Sequence, residues 1–184
     1  MNFGEVKKLK DGRYFSKMEQ RFLLQLDAVL LNTPFDDSQT VTLQLNSSNM
    51  SKLNSVQDKV KTYATENSEK WFGKNLQATT IAAAFSGDTE LMNVFKATEN
   101  KKVVTRVYDA EKNLIEPGDV EVNSVCDVVL EMTGVWFLKK SFGISWKILQ
   151  VRKRPAPKPK YYEEYLFSDD VEEIPEEEDE DDYV

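Results

Sequence analysis

The residues whose types and spacing could do chemistry lie mostly in one stretch. Between Met132 and Tyr162 there is no acidic residue but there are eight basic ones: Lys139, Lys140, Lys147, Arg152, Lys153, Arg154, Lys158 and Lys160. Trp136, Phe137, Phe142 and Trp146 are interleaved with them. Cations neutralise phosphates and release counterions. Aromatic faces stack on unpaired bases at about 1–3 kcal/mol each, whatever the base. This mixture suits a single-stranded nucleic acid, and the expected contacts are Trp136, Lys139, Lys140, Phe142, Trp146, Lys147, Arg152, Lys153 and Arg154. A second patch, Lys70-Trp71-Phe72-Gly73-Lys74, adds Trp71, Phe72 and Lys74. A plainer reading competes at each position: the cations form a solvated face, and one of each neighbouring aromatic pair belongs to the core.

Other chemistry is excluded by composition. The 184 residues contain no histidine and one cysteine, Cys126. No imidazole-dependent nucleophile can be assembled, no internal disulfide can form, and a zinc site would lack its usual ligands. Cys126, in the apolar run VNSVCDVVLEM, reads as a small buried hydrophobe. Asp109, Glu111 and Asp119 could in principle hold Mg²⁺, but they fall in turns without an evident convergent partner. There is no P-loop and no dinucleotide fingerprint. The expectation is a protein that is not an enzyme and needs no cofactor or metal.

The net charge of −8 conceals an asymmetry. Residues 163–184 hold 13 of the 32 acidic residues and none of the 24 basic ones, leaving the rest of the chain at 24 − 19 = +5. A basic body with an acidic tail points to nucleic-acid contact or an interaction tail. The tail is punctuated by apolar residues, among them Tyr165, Phe167 and Tyr183, around the acidic run Asp179, Glu180, Asp181 and Asp182. It could compete for the basic groove or dock partners. No apolar run is long enough to span a membrane, and MNFGEVKKLKDGRYF has no signal-peptide pattern. A soluble intracellular protein is expected.

The elements that must position these side chains read as mostly β. Arg21–Leu31 alternates, with Phe22, Leu24, Leu26, Ala28 and Leu30 on one face; Thr40–Leu45 alternates again. Ser51 could cap a helix running through Leu53, Val56, Val60 and Tyr63 to about Glu66. A short turn follows, with Trp71 and Phe72, ended by Gly73. Leu91–Ala97, Lys102–Tyr108 and Val120–Met132 are strand-like. Gly134 marks a bulge or bend, and Ser141-Phe142-Gly143 reads as the loop of a final hairpin. The pattern predicts an OB-fold-like antiparallel barrel with one amphipathic helix. Residues 1–17 are expected to be a flexible arm, 18–154 the nucleic-acid-binding domain, and 155–184 a Pro/Lys linker with a disordered acidic tail.

The run EVNSVCDVVLEMTGVWFLKKSFGISWKILQVR (Glu121–Arg152) and the segment SEKWFGKNL (Ser68–Leu76) resemble a protein family of large eukaryotic DNA viruses. That family is similar to phage-type single-stranded DNA-binding proteins with an OB-fold and an acidic tail carrying an aromatic near its end. The resemblance implies sequence-independent single-stranded DNA binding in viral replication, recombination or repair, with RNA the alternative strand. It implies a tail that competes with DNA and docks replication proteins such as a polymerase or helicase, and it is compatible with a homodimer. The implied location is the host nucleus or a cytoplasmic viral replication site, or the virion. This tail ends in Tyr183-Val184 rather than a terminal Phe. A transcription or virion-assembly protein acting through the tail is the competing reading.

Overall fold

The structure is a computed structural model that describes residues 1–35, 38–87 and 89–155. In chain order these form β1 (Phe3–Lys8), β2 (Tyr14–Met18), β3 (Leu23–Leu31), β4 (Thr40–Gln44), α1 (Ser47–Glu66), α2 (Ser68–Phe72) and α3 (Ala78–Ala84). There follow β5 (Leu91–Lys96), β6 (Thr98–Glu99), β7 (Lys102–Val103), β8 (Arg106–Tyr108), β9 (Leu114–Ile115), β10 (Val125–Phe137) and β11 (Phe142–Lys153). The main sheet runs β1-β2-β10-β3-β4-β5-β11-β8-β9, and β10 also pairs with β11. That extra pairing closes β3, β4, β5, β11 and β10 into a ring. The expected barrel is therefore present, with one departure from all-antiparallel order: β11 runs parallel to β5 and β8.

Inward side chains fill the ring. Leu26, Leu43, Met92, Val94, Leu130, Met132, Trp146 and Ile148 are buried from five different strands. Leu53, Val56, Val60 and Ala64 of α1 join the same core. α1 begins four residues before Ser51, because Asn46 is its cap: Asn46 Oδ1 accepts the Asn49 backbone N–H at 2.9 Å. Ser51 instead donates to the Ser47 carbonyl inside the helix. The buried Asn49 amide holds the helix to β3, donating to the Asp27 carbonyl at 2.7 Å and accepting its N–H at 3.1 Å. α3 left no periodic signal because it buries one residue, Ile81.

The face assigned to β3 changes halfway. Leu26 points inward as expected, but Ala28 has φ 52° and the register against β10 breaks between Cys126 and Val128. The extra residue of this bulge re-aims the strand, so that Val29 and Leu31, not Ala28 and Leu30, are buried. Asp127 fixes the bulge. Its Oδ1 accepts the Ala28 N–H at 3.0 Å and Arg154 Nε at 2.6 Å, while Oδ2 accepts Arg152 Nη2 at 2.6 Å.

Burial raises the Asp127 pKa, but the hydrogen bonds from Arg154, Arg152 and Ala28 outweigh it and hold the carboxyl below its ordinary value. A depressed folded-state pKa stabilises above the unfolded value, about 3.9, and the contribution is lost as pH falls through the folded value. Asp127→Asn is therefore expected to cost about 2 kcal/mol at pH 7. In urea titrations, the gap from wild type should narrow below about pH 4. An equal gap at pH 3 and pH 7 would remove the charge from the explanation.

The N-terminal residues are not a flexible arm. β1 and β2 form a hairpin through the turn at Gly12, and β2 pairs with the far half of β10. Phe3 is buried against Tyr63 and Trp71, with ring centroids 5.0 and 5.3 Å away. The lysines that made this segment look mobile are its solvent face. Cys126 is buried, and burial pushes its thiol up to about 11, which fits an inert structural cysteine.

Candidate nucleic-acid interface

Strand register decides which side chains look outward from the ring. Residues paired across neighbouring strands share a face, so the outward row can be read along β10 and its partners. Trp136 lies opposite Phe15 of β2 and Gly143 of β11. Gly134 lies opposite Lys17 and Ser145. Glu131 lies opposite Lys147, which in turn faces Phe95 of β5. Phe95 lies beside Thr40 of β4. Phe15, Trp136 and Phe95 thus stand on the outer face of four strands, with Phe95 43% exposed and the other two half-buried.

These aromatics line two adjoining hollows. One, of about 270 Å³, is bounded by Leu9, Arg13, Phe15, Phe95, Trp136 and Ser145. The other, of about 660 Å³, shares Phe95 and Ser145 and is bounded by Gln39, Lys101, Thr133 and Lys147 among others. The Trp136 indole lies across Gly143, where a Cβ would come 2.5 Å from Cζ2. The hollow thus depends on the absence of a side chain there. Arg13, paired with Asp11 at 2.6 Å, and Lys101 of the β6–β7 turn line the hollows; Lys17 lies opposite Gly134 on the same face, and Lys139 and Lys140 are exposed in the β10–β11 turn. Lys147 also lines the larger hollow, held at 2.8 Å by Glu131, whose other oxygen lies 3.4 Å from Arg21. In the ring, β4 and β5 are the second and third strands in chain order. The loop after the fourth strand carries Lys139 and Lys140. In OB-folds the face of strands two and three and the adjoining loops bind oligonucleotides and oligosaccharides.

The expected site is partly rearranged by this geometry. Phe142 is not in a loop. The turn is Leu138–Ser141, closed by the Leu138 N–H on the Ser141 carbonyl, and Phe142 enters β11 fully buried. Trp146 is 1% exposed and faces into the barrel. Trp71 is buried and Phe72 half-buried, both packed on Phe137 and Phe142 with centroids 5.2 to 6.4 Å apart. Trp71, Phe72, Phe137 and Phe142 make the core that seats α2, and none of them is placed to stack on a base in the groove. Lys74 is exposed beyond Gly73, in the run that follows α2. Arg152 and Arg154 are held by Asp127, and Lys153 lies 3.4 Å from the Asp119 carbonyl. Of the expected residues, Trp136 and Lys147 line the hollows, and Lys139 and Lys140 are exposed in the β10–β11 turn. Tyr165, Phe167, Asp179, Glu180, Asp181, Asp182 and Tyr183 lie outside the described residues.

Sequence reasoning missed Phe15, Phe95, Arg13 and Lys101. The signal was present for two of them. In LMNVFK, Met92 and Val94 define the inner face and put Phe95 on the opposite one. In YFSKM, Ser16 and Met18 do the same for Phe15. An aromatic on the polar side of an alternating strand was the clue.

Among the described residues no group of three or more Cys, Asp or Glu is placed to hold a metal ion, and no helix is long and apolar enough to cross a membrane.

Residues 28–169, more than three quarters of the chain, match a protein family described as a family of unknown function, DUF5871. The chain belongs to that family. A search of curated proteins finds no match to this DUF5871 member. Its fold is similar to that of a C-terminally truncated single-stranded DNA-binding protein from bacteriophage Enc34, with a TM-score of 0.50, 12% identity, and coverage of 86% of this chain and 98% of that one. The same phage protein in complex with ssDNA gives a TM-score of 0.49 at 13% identity, covering 87% of this chain and 99% of that one. The single-stranded DNA-binding protein gp2.5 of bacteriophage T7 gives 0.45 at 12% identity, covering 80% and 99%. At these identities the likeness is one of fold.

Proposed function

We propose that this DUF5871 protein binds single-stranded DNA, without sequence preference, in the groove between β2, β10, β11 and β5. The observation that carries the reading is the outward aromatic row Phe15, Trp136 and Phe95 with cations beside it, Phe95 standing on the third strand of an OB-like ring. The fold shared with a phage protein that binds single-stranded DNA supports it. Stacking is indifferent to base identity, which accounts for the lack of sequence preference, and phosphate contacts make binding salt-dependent. The chemistry is binding and needs no cofactor, and the chain is read as a non-enzyme.

The finer reading is a role in replication, recombination or repair of a large DNA virus, at the nuclear or cytoplasmic site of that work. In it the tail, with 13 acidic and no basic residues over 163–184, competes with DNA for the groove and docks replication proteins. The test is a titration of fluorescein-labelled oligo-dT with the full chain and with a chain ending at Lys160, in anisotropy, at two salt concentrations. Tighter binding by the shorter chain, and a steep loss with salt in both, is the expected result. Failure of both to bind at low salt would refute it.

A second prediction arises from the ion pairs at the groove. Glu131 occupies Lys147 and Arg21. Glu131→Gln removes one negative charge from the path of the strand and releases both cations. Oligo-dT affinity at low salt is expected to rise several-fold. The salt slope should steepen by about 0.7 for each cation that gains a phosphate. An unchanged slope would mean that neither cation lies on the path.

A further inference from the structure

We propose that the bound strand continues along the outside of β10 and β11 into a second subsite, a pocket at the Asp127 end of the ribbon that takes one nucleotide. This inference rests on the reading of the groove above. The pocket has a volume of about 310 Å³ and is lined by Gln25, Tyr108, Lys112, Asp127, Gln150 and Arg152 over a floor that includes Val128 and Val151. It lies at the small end of the range for ligand sites, with room for a nucleotide rather than for a larger ligand.

Continuity of face joins it to the groove. Val129 is opposite Gln150 and Gln25, two places along β10 from Glu131, which is opposite Lys147. Gln150 is beside Arg106, and Arg152 beside Tyr108, on β8. The outward row therefore runs from Trp136 through Gly134, Glu131 and Val129 to Asp127, across register shifts at Met132/Gly134 and Val129/Leu130, nine residues or about 30 Å of strand. β8 and β9 are an addition outside the five-strand ring, so this wall is not part of the oligonucleotide-binding face already described.

The chemistry suits a nucleotide. Tyr108 is half-buried and offers a ring. Arg152 is anchored by Asp127 through Nε and Nη2, yet its side chain is 45% exposed, so a fixed guanidinium borders the cavity. Lys112 projects from the β8–β9 turn, where its φ is 70°, and Arg106 is exposed beside Gln150. Gln25 binds Asp27 through Nε2, and Lys52 also holds Asp27. Asp109 is turned to Asn113, which donates to both of its carboxylate oxygens. Asp27, Asp109 and Asp127 are thus engaged by donors, while Lys112 and Arg152 line the pocket and Arg106 is paired beside Gln150. A planar ring, amides and cations at the end of a track for single-stranded DNA fit a base and its phosphate.

The test uses the full-length chain and labelled dT oligonucleotides from about 4 to about 16 nucleotides, the range of OB-fold site sizes. Wild type is expected to gain affinity in a step once the oligonucleotide reaches the pocket. Tyr108→Ala and Lys112→Ala should abolish that step, a loss of roughly 5- to 150-fold for Tyr108, the size of one base stack. Binding of the short oligonucleotides should not change. Tyr108→Phe, which keeps the ring, should keep the step. A terminal 5-bromodeoxyuridine should photo-crosslink to Tyr108 only on the longer oligonucleotides. If Tyr108→Ala binds every length as wild type does while Phe95→Ala is weakened, the pocket is not a nucleotide subsite and the groove stands. If wild type binds no length, the groove reading falls and this one with it. Selective binding of an acidic peptide or free nucleotide at the pocket, without the length step, would overturn the continuous track.

Discussion

Replacing Trp136 and Phe95 together with alanine is expected to weaken binding of oligo-dT by about 2–6 kcal/mol, which is two stacked bases at about 1–3 kcal/mol each. The two residues are on different strands, one on β10 and one on β5, yet both border the same hollow. Neither carries charge, so the slope of affinity against salt should stay at its wild-type value while the whole line drops. Changing Lys139 and Lys140 to alanine should do the converse, lowering the slope by about 0.7 for each phosphate that is no longer neutralised. The pair of experiments separates stacking from charge. Folding is a lesser concern for Phe95, which is 43% exposed, than for half-buried Trp136. Trp136→Phe keeps a ring over Gly143 and should recover part of the affinity. If the double alanine variant binds as wild type does, the aromatic row is a patch of exposed core and the site lies elsewhere.

What could be read in the sequence was what depends on local periodicity. The β10–β11 ribbon, the bend at Gly134, the α1 stripe of Leu53, Val56 and Val60, and Gly73 as the end of α2 were all visible, because each is set by neighbours a few residues away. The aromatic side chains were harder. Trp136 and Phe137 alternate whichever way the strand faces, and only pairing with β2 and packing under α2 show that Phe137 is the inner one. Phe142 looked exposed because Ser141 and Gly143 are turn-formers. Gly143 is needed instead to make room for Trp136 and for the Ser86 carbonyl, 2.7 Å from where its Cβ would be. Arg152 and Arg154 looked like free cations because Asp127, their partner, lies 25 and 27 positions earlier. Phe15 was hidden for a related reason. A short lysine-rich hairpin has little to bury by itself, and its hold comes from Phe3 on Tyr63 and Trp71, residues distant in sequence.

That dependence of the hairpin on distant residues makes Gly134→Ala the second large effect, this time on stability. Gly134 sits where the β10–β11 register shifts and lies opposite Lys17 of β2. A Cβ there would collide with the backbone carbonyl of Ser16 and come 2.6 Å from Cζ of Phe15. Phe15 could rotate, but Ser16 could not. It is fully buried, and its hydroxyl donates to the Gly4 carbonyl at 2.6 Å, so β2 cannot retreat without pulling on β1. Overpacking of this kind costs about 1–3 kcal/mol, and a backbone obstacle puts this site at the upper end. At roughly 2–4 °C per kcal/mol for a chain of this size, Tm should fall by about 6–12 °C. Gly118→Ala is the matched control, because a Cβ at Gly118 meets nothing within 4 Å, and it should leave Tm unchanged. The damage should also be localised. Hydrogen exchange should quicken in the amides of β1 and β2 before those of β3 and β5, since the hairpin is held to β10 outside the closed ring. With the hairpin go Arg13 and Phe15, so oligo-dT affinity should fall in the same variant, at temperatures where the ring is still folded. A uniform loss of protection across all strands, with affinity retained until global unfolding, would show that β2 is not an independent wall of the groove.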